Sequence, residues 1–134
     1  KCIINGLYEA VDPILAISND ELSNLQTYLN IGYVNPTTQI AELSEDVMLH
    51  VPNCQSAVKI AVPQEFAFKD DNYELSGGIT YIGDSWKGHY ISYVKEGGMW
   101  FEINDSAINI VTAEEVREIL TQNGCLLRYT KIKR

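Results

Sequence analysis

Residues 89–104, HYISYVKEGGMWFEIN, constrain the fold more than any other stretch of the chain. Two runs rich in β-branched and aromatic residues flank Glu96-Gly97-Gly98. Such runs favour strands, and a glycine pair supplies the backbone freedom that a tight hairpin turn needs. The pattern predicts two antiparallel strands, with His89 at the outer end of one and Asn104 at the matching end of the other.

More strand signals surround this hairpin. VMLHV (47–51), AVKIAV (57–62), FAF (66–68), YELSGGITYI (73–82) and CLLRYTKI (125–132) are strand-like, with a bulge or bend expected at Gly77 and Gly78. Between them, Thr112-Ala-Glu-Glu115 is a capping box that opens a helix running to about Gln122. The first third reads differently. Ile3, Ile4, Leu7, Tyr8, Val11 and Ile14 approach helical spacing, with Pro13 ending or kinking that helix. A second helix fits residues 18–32: Ser18, Asn19 or Asp20 caps it, Leu22, Leu25 and Leu29 form its stripe, and Gly32 stops it. A third, short helix is expected after Asn35, with Pro36 in its first turn. Helices over about 1–46, then β-structure over 47–134, predict a single α+β domain with a mostly antiparallel sheet.

With 134 residues, 46% of them hydrophobic, the chain is long and apolar enough for one real core. No apolar run approaches bilayer-spanning length and no secretory signal is visible. A net charge of −8 argues against nucleic acid and suggests a neutral or basic partner. The three cysteines, at positions 2, 54 and 125, lack the spacing of a disulfide framework or zinc site. The expectation is a monomer without metal or cofactor, with free thiols, in the cytoplasm. Because it starts at Lys1 rather than Met, the chain reads as cut from something longer, a trimmed piece or a polyprotein product.

Few residues carry chemistry. Cys2 directly precedes the first expected helix, where the macrodipole favours a thiolate; equally, it is a small hydrophobe. His89 is placed to act as a base, or to be structural. Asn104 and Asp105 end the partner strand, where an amide or carboxylate holds an imidazole in one tautomer; Asn-Asp-Ser is also a common turn or cap cluster. His50, Cys125 and Trp100 read as structural, and Cys54 lies in a loop without a metal partner nearby. Trp86, in the polar loop before His89, either lines a substrate channel or anchors the loop.

Two boxes resemble the ubiquitin-specific proteases, a papain-like cysteine peptidase family. CIINGLYEAV is similar to the family's cysteine box, and YELSGGITYIGDSWKGHYISYVKEGGMWFEINDS to its histidine box, with Gly-His-Tyr, a Tyr-Val strand, Trp and Asn-Asp-Ser in order. CLLRYTK resembles the last core strand. The resemblance implies a papain-like fold in which Cys2 is the nucleophile, His89 the general base, Asn104 the third triad member and Asp105 a supporting acid. It implies substrate contacts from Trp86, Gly88 and Tyr90. The implied substrate is the C-terminal Gly of ubiquitin or a ubiquitin-like protein, or a viral polyprotein junction. Acidic residues such as Asp20, Glu21 or Asp84 are candidates to meet arginines in such a tail. The alternative is a catalytically inactive relative that only binds ubiquitin. Cys2 and His89 are 87 residues apart, closer than in typical members, and the cysteine-bearing fingers subdomain is absent, so the compact form is also similar to viral papain-like and leader proteases. Only Lys1 precedes Cys2 here, so the side-chain donor that relatives place before the cysteine for the oxyanion either belongs to a longer native chain or does not exist; the Cys2 backbone N–H is a further donor.

Overall fold

The computed structural model describes residues 2–4, 8–10, 14–36, 38–40, 42–56, 59–83 and 87–133. Its spine is strand β8, Asp71–Gly83, thirteen residues long. One edge of β8 pairs with β12 (Gly124–Lys131). The other edge pairs first with β7 (Glu65–Phe68) and then with β9 (Gly88–Glu96). Beyond β9 come β10 (Met99–Asn104) and β11 (Ala107–Val111); beyond β12 come β6 (Asp46–His50) and β3 (Ile14–Ala16). All pairings are antiparallel except β3 with β6. A second sheet of four short strands has the order β2 (Tyr8–Ala10), β1 (Cys2–Ile4), β5 (Thr38–Ile40), β4 (Tyr33–Asn35).

The 89–104 hairpin forms as expected. Glu96 faces Met99 across the two-residue turn, with Gly97 at φ 57° and Gly98 at φ 80°. Both angles are costly for side-chain-bearing residues, which is why the turn is Gly-Gly.

Helix α3, Ala113–Asn123, covers one face of the large sheet. Thr112 and Glu115 close the expected capping box, with backbone-to-side-chain bonds of 3.1 and 3.3 Å. Val116 and Leu120 are fully buried against it. The helix lies close because Gly78 has no side chain: a methyl group there would sit 2.6 Å from Leu120 Cδ2. The register between β8 and β12 shifts next to Gly77, leaving Ser76 without a partner in the ladder. Arg128 compensates, donating through Nε to Ser76 Oγ and through Nη2 to the Ser76 carbonyl, each at 3.0 Å. Phe66, Tyr73 and Tyr129 form an aromatic cluster with ring separations of 5.1 and 4.8 Å, and the Tyr129 hydroxyl donates to the Pro63 carbonyl at 2.7 Å.

The N-terminal third departs from the expected helices. Residues 2–4 and 8–10 are strands; residues 5–7 and 11–13, Pro13 among them, lie outside the described residues. The apolar spacing that mimics a helix belongs to three-residue strands, and β1 takes its ladder from β5, a distant segment that local periodicity does not register. The short helix after Asn35 is replaced by a turn, because the Asn35 side chain accepts the Thr38 N–H at 2.8 Å. The second helix forms but breaks at Asn24 into α1 (Asn19–Ser23) and α2 (Leu25–Asn30). Ser18 is its cap, reciprocated by Glu21, whose carboxylate is thereby engaged; Gly32, at φ 81°, follows its end. Leu25 and Leu29 are buried, and Gln26 clasps the backbone of Ala67 on β7 with bonds of 2.9 and 2.7 Å.

AVKIAV is not a strand over its described residues, 59–62. The amide of fully buried Asn53 exchanges bonds with the Ile60 carbonyl (3.2 Å) and N–H (3.5 Å), while Thr121 and Arg117 satisfy the backbone of Val62. Side chains here supply what a neighbouring strand would. Strand β11, with Ile108 and Ile110 exposed at the sheet edge, had no signal strong enough to predict it.

Two outcomes follow from this packing. Leu120→Ala is expected to lower stability by about 2–5 kcal/mol, whereas Ile110→Ala stays within about 0.5 kcal/mol, checked by urea denaturation. Burial raises the pKa of Tyr73, Tyr93 and Tyr129. The unfolded chain loses these protons from about pH 10 while the folded chain keeps them. Their stabilising contribution is therefore complete below about pH 10 and is lost as pH rises through the folded values. A thermal melt series should show Tm falling above that pH, less steeply in Tyr93→Phe.

Candidate active site

The hairpin register fixes the site. Tyr93 and Glu102 are direct partners across β9 and β10, and the Tyr93 hydroxyl donates to Glu102 Oε2 at 2.9 Å. Alternation then puts His89 and Ile91 on the same face as Tyr93, and Asn104 on the same face as Glu102 and Trp100. At the open end of the hairpin, His89 Nε2 lies 2.5 Å from Asn104 Oδ1. Asp105 sits in the left-handed region at φ 55° and starts the two-residue turn into β11. Its carboxylate is 4.0 Å from the same ring nitrogen and 82% exposed, so water screens it. Asn104 is the direct partner of the imidazole, and Asp105 stands behind it.

This bond decides which ring nitrogen is basic. An amide oxygen only accepts, so Nε2 carries the proton and donates. Nδ1 is left with its lone pair, on a side chain 45% exposed. A neutral imidazole held in one tautomer, with its bare nitrogen open to an incoming group, is what a general base requires.

The other expected residues divide. Gly88 precedes His89 and pairs with Gly83; a methyl group on it would overlap the ring of Tyr81. Tyr90, 63% exposed, packs its ring against Tyr81 at 4.8 Å, on the face opposite His89. Tyr81 was missed from sequence, although alternation across β8 and β9 places it there. Trp86 and Asp84 lie outside the described residues. Cys2 is in β1, where it pairs with Ala10 and Ile40. It precedes no helix, so the macrodipole reason for an activated thiol does not hold. Among the described residues, no strand pairing joins β1 to the sheet that carries His89. The structure brings together His89, Asn104 and Asp105.

The ubiquitin carboxyl-terminal hydrolase family model matches residues 12–129, a span that holds His89, Asn104 and Asp105 and begins after Cys2. The chain is 42% identical over 59 residues to ubiquitin carboxyl-terminal hydrolase 8 of Saccharomyces cerevisiae, covering 43% of this chain and 12% of that protein. It is 33% identical over 75 residues to ubiquitin carboxyl-terminal hydrolase 11 of Schizosaccharomyces pombe, covering 54% of this chain and 21% of that one. It thus spans about an eighth to a fifth of the length of these relatives. Among solved structures, it is similar to the SAGA DUB module of Ubp8, Sgf11, Sus1 and Sgf73 bound to monoubiquitin, with a TM-score of 0.61 and 26% identity over 72% of this chain and 25% of that one. A second structure of that module superposes with a TM-score of 0.68 over 89% of this chain and 33% of the other, at 24% identity, a likeness of fold. Matched over most of its length, from before β3 to within β12, the chain belongs to the ubiquitin carboxyl-terminal hydrolase family.

Proposed function

We propose that this chain carries the base and its orienter for a deubiquitinating cysteine peptidase. The observation that carries the reading is the His89–Asn104 hydrogen bond, which leaves Nδ1 as the free base. In the reaction, Nδ1 takes the proton of a cysteine thiol as its sulfur attacks the carbonyl of a C-terminal glycine. Asn104 keeps the ring in register while it is transiently imidazolium, and Asp105 adds a nearby negative charge. The ring then returns the proton to the leaving amine. Water, deprotonated by the same nitrogen, releases the acyl group.

Ubiquitin or a ubiquitin-like tail is the favoured substrate, because the relatives are named as ubiquitin carboxyl-terminal hydrolases and a similar structure holds monoubiquitin. Those relatives give a viral polyprotein junction no support. A solely ubiquitin-binding role leaves the single-tautomer imidazole without a use.

Cys2 enters as the nucleophile on sequence grounds. A second reading takes the thiol from outside residues 1–134. It is favoured by the place of Cys2 in the smaller sheet and before the matched span. Hydrolysis of a fluorogenic ubiquitin C-terminal amide by the protein that contains this chain decides. His89→Ala should lower kcat by about 100- to 10,000-fold. Asn104→Ala should lower kcat less, with KM unchanged, and Asn104→Asp should retain most activity. Loss of turnover in Cys2→Ala as well would assign the thiol to Cys2, and retained turnover would assign it elsewhere. Undiminished turnover in His89→Ala would refute the proposal.

A further inference from the structure

Cys54 and Cys125 meet on the side of the sheet turned away from His89. Both line a cavity of about 630 Å³, together with His50, Tyr81, Gly83 and Tyr90. Cys54 lies in a turn closed by the Gln55 N–H to the Pro52 carbonyl, at 2.9 Å. The turn is anchored from below by Asn53, whose amide is fully buried and bonded to Ile60. Two backbone bonds tie this turn to the start of β12: the Cys54 N–H to the Gly124 carbonyl and the Val51 N–H to the Cys125 carbonyl, both 3.1 Å. The first spans the very peptide that joins Gly124 to Cys125, so the two cysteine backbones are direct neighbours. The Cys54 sulfur is near enough to raise the pKa of the Cys125 thiol, and the Cys125 thiol donates to the Ile79 carbonyl at 3.4 Å. Both are free and only half-buried.

We propose that Cys54 and Cys125 are a peroxide-sensitive dithiol that closes to a disulfide within the folded chain. The constraint that defeats most cysteine pairs is backbone separation, since a disulfide needs α-carbons about 4.4–6.8 Å apart. Here two backbone hydrogen bonds hold the Cys54 turn against the Gly124–Cys125 peptide, and the open cavity gives oxidant a path to the sulfurs.

The roles differ. Burial, then the charge and hydrogen bond of the neighbouring Cys54 sulfur, push the Cys125 thiol up to about 11. It stays protonated at neutral pH, so first attack falls to Cys54. The Cys54 thiolate attacks one oxygen of hydrogen peroxide, the O–O bond breaks, and the departing hydroxide takes up the proton that Cys54 released. That leaves a sulfenic acid and one water. The Cys125 sulfur then attacks the Cys54 sulfur, the S–O bond breaks, and hydroxide leaves with the Cys125 proton as a second water. Two thiols lose two electrons, which peroxide gains. The new bond would staple the turn after β6 to β12, behind the strand that carries His89.

The test is independent of the peptidase reading. The full chain is treated with hydrogen peroxide at neutral pH, its remaining thiols are alkylated, and a non-reducing digest is mapped by mass spectrometry. The expected result is a peptide linking Cys54 to Cys125, with loss of two hydrogens from the intact chain, Cys2 still alkylated, and full reversal by dithiothreitol. Cys54→Ser and Cys125→Ser should each lose the link while keeping the wild-type circular dichroism spectrum. Cys54 carried on to sulfinic acid beside a free Cys125 would overturn the proposal. So would two unreacted thiols, or links to Cys2 in the proportion seen for urea-unfolded chain.

Discussion

The register of one hairpin decides what this chain can do. Gly97 and Gly98 form a two-residue turn, and that turn sets which residue of β10 faces which residue of β9. Because side chains alternate, a slip of one residue would send His89 and Asn104 to opposite faces. The register is held far from the turn as well: Tyr93 bonds Glu102, Trp100 is buried, and β8 pairs with β9 from Gly88 to Val94. The His89–Asn104 geometry is thus a consequence of strand pairing, built on strands rather than on a loop.

How much of this was legible follows from where the determining forces lie. The hairpin, the capping box at Thr112, a cap among Ser18, Asn19 and Asp20, and the strand that holds Tyr129 are each written in a few adjacent residues, so sequence shows them. The pairing of His89 with Asn104 was legible for the same reason: both lie on one hairpin with a turn of known geometry. The small N-terminal sheet was not, since β1 depends on β5 across more than thirty residues and the apolar residues around it fall by chance at helical spacing. The stretch after Asn53 failed for another reason. Its backbone is satisfied by the side chains of Asn53, Thr121 and Arg117, an arrangement with no local pattern. With strand β1 where a helix was expected, the macrodipole argument for Cys2 goes too.

The two faces of β9 divide the work. His89 looks out beside Asn104 on one face, while Tyr90 packs on Tyr81 on the other, over the cavity where Cys54 and Cys125 meet.

The most direct test of the central claim is the tautomer of His89, read from long-range proton–nitrogen correlation NMR on chain labelled with nitrogen-15, at a pH where the ring is neutral. The account predicts a protonated Nε2 and a bare Nδ1, with Asn104→Ala giving a mixture of tautomers. A ring protonated on Nδ1, or one whose nitrogen shifts ignore Asn104→Ala, would contradict it.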